Sequence, residues 1–98
     1  MATLEVKVKG DEFNPSSQDG ANGDTVKFIN KRDESVTIDL NLTPGFYSQT
    51  SLALSANGEG SVTITGTSGA GEFKAPKKDS RKRDEGNIKG DVKINTSR

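Results

Sequence analysis

The densest set of chemically active side chains in the sequence is Lys77-Lys78-Asp79-Ser80-Arg81-Lys82-Arg83. Cations this close together can take up a phosphate, a nucleic-acid backbone or an acidic protein, because they displace condensed counterions. Asp79 inside the run, with Asp84 and Glu85 behind it, offsets that charge. No aromatic residue stands there to stack a base. Lys77, Lys78, Arg81, Lys82 and Arg83 are the residues that would carry polyanion binding. The plainer alternative is a solvated loop.

The other constellations are weaker. Gly66-Thr67-Ser68-Gly69-Ala70-Gly71 has the glycines of a phosphate-cradling loop, but no Lys-Ser/Thr follows, and a hairpin turn is expected instead. Asp33/Glu34 and Asp84/Glu85 lack the spaced oxygen ligands of a calcium loop. No acidic residue sits in an apolar setting that would raise its pKa for acid–base work. The chain has no Cys and no His, so no thiolate nucleophile and no imidazole base exists. Catalysis is therefore not expected. Phe46-Tyr47, following Pro44-Gly45, is a candidate partner contact because aromatics anchor interfaces; plugging the core is the commoner use.

Ninety-eight residues suit a single domain, and 29% hydrophobic residues with a mean hydropathy of −0.73 leave material for only a thin core. Eleven glycines and regular alternation favour a β-rich globule over a disordered chain. Fourteen basic and 14 acidic residues cancel, so no global field draws the chain to nucleic acid or an anionic membrane. No apolar run approaches the ~20 residues of a membrane helix. The opening MATLEVKVKG has neither the basic nor the apolar region of a signal peptide, and both a cytoplasmic and an exported protein fit.

The elements that must position these residues read as strands. Leu4, Val6 and Val8 alternate with charged residues, and so do Val26 and Phe28. Val36, Ile38, Leu40 and Leu42 give the cleanest alternation, ended by Thr43-Pro44-Gly45. Lys31-Arg32-Asp33-Glu34 between them is expected to be a solvated charged turn. Residues 14–24 are turn-rich and predict a loop or an edge segment. Residues 46–57 fit either a short helix or a winding loop. Val62 with Ile64, Phe73, and Val92 with Ile94 mark the remaining strands. Residues 75–89 predict a long charged loop, and residues 95–98 a frayed tail.

Phe13, Pro15, Gly23, Asp24, Val26, Phe28 and Asn30 stand in the order F-x-P, Gly-Asp-x-Val, aromatic-x-Asn. This spacing resembles the cupredoxin family, small β-sandwiches best known for blue-copper electron transfer. Gly58-Glu59, the Val62/Ile64 strand, Gly71-x-Phe73 and Gly90-Asp91-Val92-Lys93-Ile94 are similar to the family's later strands, so the likeness covers most of the chain. Gln18 and Gly20 depart from it, standing where the family has apolar strand residues, and an irregular or missing second strand is expected.

Blue copper requires two imidazoles and a thiolate, usually with a weak axial thioether, because soft sulfur holds copper(I). By the resemblance, the upstream histidine position falls at Val36. The cysteine position falls near residues 77–80, with Ser80 at its end, the second histidine near Arg83 and the axial methionine at Ile88. None of these can ligate copper as the family does, and Met1 is the only sulfur in the chain. The aliphatic Val36 and Ile88 would fill the pocket by packing.

The expectation is an all-β, Greek-key sandwich of about six to seven strands, a single cupredoxin-like domain over residues 1–98 without a cofactor. It would act as a non-catalytic protein-binding or structural module on an unidentified protein partner. Polyanion or nucleic-acid binding through residues 77–83 is the alternative. The resemblance implies a periplasmic or secreted setting, and a monomer is presumed.

Overall fold

The computed structural model describes residues 2–10, 12–76 and 87–94. The alternation of Leu4, Val6 and Val8 produces β1 (Thr3–Val8), with Val6 and Val8 buried. It runs parallel to β4 (Thr25–Asn30), pairing Thr3 with Thr25 and Val8 with Asn30. Val26, Phe28 and Asn30 all point inward from β4. The short β2 (Phe13–Asn14) lies antiparallel to β1, and β7 (Glu59–Thr63) antiparallel to β4, giving a sheet ordered β2-β1-β4-β7.

The second sheet contains β3 (Ser17–Gly20), β5 (Val36–Asp39), β6 (Ser51–Leu54), β8 (Ala70–Pro76) and β9 (Asn87–Ile94), ordered β3-β9-β8-β5-β6. Ile38, Leu54, Phe73, Ala75, Ile88 and Val92 from this sheet meet Val6, Val8, Val26, Phe28 and Val62 of the other in one buried cluster. Phe13, Phe28 and Phe73 form its aromatic centre, with edge-on ring contacts at centroid separations of 4.8, 5.0 and 6.4 Å. The protein is thus an all-β sandwich, with nine strand segments among the described residues.

Three local expectations change, and the turn-rich stretch 14–24, expected as a loop or an edge segment, supplies an edge strand at residues 17–20, parallel to β9. Its inward Gly20 needs no side chain: a Cβ there would stand 2.9 Å from both Leu4 and Val92, which already occupy the space. Residues 46–57 contain no helix; Leu52 and Leu54 lie on β6, opposite Ile38 and Val36. Gly66–Gly71 is not a hairpin turn, because β7 and β8 belong to different sheets and the segment crosses between them. The charged loop is shorter than expected, since β8 continues through Pro76 and β9 begins at Asn87, which pair with each other.

Candidate functional site

One end of the sandwich gathers the start of β5, the end of β8, the start of β9 and the ends of β1 and β4. The antiparallel pairing of β8 with both β5 and β9 requires the first three to coincide. Val36 and Ile88, the positions that the resemblance assigns to a histidine and a methionine, both lie here. They are buried, at 5% and 4% exposure, in the same apolar cluster as the rest of the core. Ala75, opposite Ile88 on β8, is buried with them. This end is packed with hydrocarbon. Gly90, facing Phe73, permits the contact: a Cβ there would come 2.6 Å from the ring and 2.9 Å from the Ser16 carbonyl.

The loops over this end are tied by two polar side chains, Asn30, which the sequence offered only as part of the family spacing, and Arg32, which it placed in a charged turn. Asn30 is 1% exposed, and its Nδ2 donates to the carbonyls of Glu34 and Ser55, each at 2.9 Å. Its Oδ1 accepts the Arg32 N–H at 3.0 Å, and its own N–H donates to the Gly58 carbonyl. Arg32, expected in a solvated turn, is instead 3% exposed. Its Nε donates to the Lys9 carbonyl at 3.0 Å and its Nη2 to the Gly10 carbonyl at 3.4 Å. Burial lowers the pKa of this guanidinium, and the Glu34 charge opposes the shift. Carbonyl oxygens, arranged around a cation, solvate it in place of water. The clue in the sequence was the Asn ending an alternating strand on its inward face; nothing local marked Arg32.

Phe46 and Tyr47, a candidate contact pair for which core plugging was the commoner reading, are buried at 3% and 6% exposure and plug the opposite end of the core. The Phe46 ring lies over Gly66 and Gly71, where any Cβ would overlap it. Thr65 and Gly66 donate their N–H groups to the Phe46 carbonyl. Tyr47 donates its hydroxyl to the Gly71 carbonyl at 2.7 Å. Burial first, and the Asp91 charge second, push this phenol well above its usual pKa. The partner-contact reading of these two residues therefore gives way to core packing.

Lys77, Lys78, Ser80, Arg81, Lys82 and Arg83 lie outside the described residues. On the outer face of the second sheet, Ser16, Ser17, Glu72, Lys89, Gly90 and Asp91 line a shallow cleft of about 260 Å³. Glu72 and Asp91 are direct cross-strand neighbours there. Among the described residues, no group of three or more His, Cys, Asp or Glu side chains is placed to hold a metal ion. No helix among them is long and apolar enough to cross a membrane.

No protein-family model matches the sequence, and no curated protein does either. Solved structures do match. A copper(I) form of an amicyanin mutant aligns over 95% of this chain and 82% of its own, at 16% identity and a TM-score of 0.67. An oxidised amicyanin mutant gives the same figures. Another oxidised mutant aligns at 14% identity with a TM-score of 0.67. The fold is that of the cupredoxins, as the Phe13–Asn30 spacing implied.

The copper held by that amicyanin has no donor set here. The chain lacks Cys and His entirely, and Val36 and Ile88 offer only aliphatic carbon. The residues present do not fit a blue-copper ion.

Proposed function

We propose that this cupredoxin-like domain is metal-free and works as a non-catalytic protein-binding or structural module. The observation that carries the proposal is the packing of Val36 and Ile88 into the core cluster at the end where copper ligands would stand. A scaffold whose reactive positions have become hydrocarbon retains shape and surface as its means of action. Asn30 and Arg32 support the same reading, because they hold the overlying loops in a fixed form without offering a nucleophile or a titrating base.

Polyanion binding through residues 77–83 draws no support from the described residues. Immobilised domain exposed to lysate of its source should retain a specific protein that survives nuclease treatment and moderate salt. Retention of nucleic acid alone, lost steeply as salt rises, would favour the alternative. A catalytic activity of the free domain would end the proposal.

A further inference from the structure

The two sheets expose four edge strands, and three of them carry features that block pairing with another chain. β2 is only two residues long. β3 carries Asp19, and the Gln18 side chain is bonded across to the Glu5 carbonyl. β7 carries Glu59, ion-paired to Lys27 at 2.7 Å, and Thr63 exchanges hydrogen bonds with Ser48 through its N–H and C=O. Charges, short length and occupied backbone groups are the usual protections of a sheet edge.

β6 has none of them. It reads Ser-Leu-Ala-Leu within residues 40–58, which contain no charged side chain in a chain holding 14 basic and 14 acidic residues. Leu40 donates to the Thr50 carbonyl, and the register continues through Ser51 opposite Asp39 and Leu52 opposite Ile38. Hydrogen-bonded pairs alternate along an antiparallel ladder. Leu52 and Leu54 therefore turn their backbone groups toward β5, while Ser51 and Ala53 turn theirs outward. The side chains of Ser51 and Ala53 are exposed and small, and no hydrogen bond from the described residues occupies those groups.

We propose that the β6 edge pairs with β6 of a second copy of this chain, about a two-fold axis through Leu52, joining the two five-stranded sheets into one. The edge is its own complement. Ser51 of one copy exchanges N–H and C=O bonds with Ala53 of the other, and the axis repeats the exchange. A neutral strand meets its own image without like-charge repulsion, which a charged edge could not do. Leu52, half-buried against Gly60 of β7, faces its symmetry mate across the axis. The proposal replaces the monomer presumed from sequence and does not depend on the functional reading above.

Sedimentation of the full chain over a wide concentration range tests it. The weight-average mass should climb from 10.4 kDa toward twice that value. The double variant Ser51→Lys/Ala53→Lys places like charges across the axis and should weaken association about a hundredfold or more, with circular dichroism unchanged. A mass fixed at that of the single chain up to about 1 mM, or a dimer indifferent to the two lysines, would overturn the proposal. Because the chain has no Cys, Leu52→Cys supplies an independent readout. Facing residues of a non-hydrogen-bonded pair stand about 4.5 Å apart, within disulfide range. Oxidation should trap that variant as a covalent dimer much faster than Ser61→Cys on the β7 edge, and equal rates would refute the register.

Discussion

Asn30 shows how one side chain can do the work of a short sheet. It satisfies two carbonyls and one N–H from three separate loop positions, the farthest being Ser55. Removing it in Asn30→Ala takes the side-chain partner from the Glu34 carbonyl and the buried Arg32 N–H, while the Ser55 carbonyl keeps the Gly58 N–H; a buried group left unpaired costs about 1–3 kcal/mol. Chemical denaturation should show a loss of about 1–3 kcal/mol, with the fold retained. Tyr47 is the sole tyrosine and gives a spectroscopic test of its own environment. Its pKa in the folded protein lies above the ordinary 10.0, because burial and the Asp91 charge disfavour the phenolate. A group raised on folding contributes fully below its unfolded pKa and loses that contribution as pH climbs toward the folded value. Stability should therefore fall above pH 10, phenolate absorbance should appear together with unfolding, and Tyr47→Phe should flatten the alkaline slope.

At the scale of elements, the sandwich is joined at places where glycine admits a ring. The 66–71 crossing lets Gly66 and Gly71 lie against Phe46, while Gly90 of β9 lies against Phe73. Gly71→Ala should cost about 1–3 kcal/mol as an overpacked site. In a Phe46→Leu background the smaller, movable side chain should absorb much of that penalty. A double-mutant cycle in urea should then show clear non-additivity between these contacting residues. Additive losses would mean that the ring does not set the requirement at position 71. Gly20 belongs to the same class. Its absent side chain is replaced by Leu4 and Val92, so β3 keeps its place without an apolar residue of its own.

Over the whole molecule, the core cluster draws on both sheets and on the loop pair Phe46–Tyr47, with no division between a structural half and a reactive half. A metalloprotein scaffold with an open ligand set is stabilised by its ion, since anything that binds only the native state raises the melting temperature. Here the corresponding end is already filled by Val36, Ala75 and Ile88. Adding copper(II) should leave the melting temperature unchanged and produce no intense blue absorption. A rise in either would show a donor set that the chain's composition denies.

Much of this protein was legible along the chain. Alternating apolar residues mark β1, β4, β5 and β9, because a strand's two faces are written at every second position. The spacing from Phe13 to Asn30 pointed to the fold, and the lack of Cys and His removed blue-copper chemistry without any coordinates. Tertiary structure alone decided that Arg32 is inside, that Phe46 and Tyr47 plug the core, and that 66–71 crosses between sheets. Each of these depends on groups far away in sequence: the Lys9 and Gly10 carbonyls for Arg32, two distant glycines for Phe46. Local pattern records what a residue prefers, whereas burial and contact depend on what the rest of the chain brings to it.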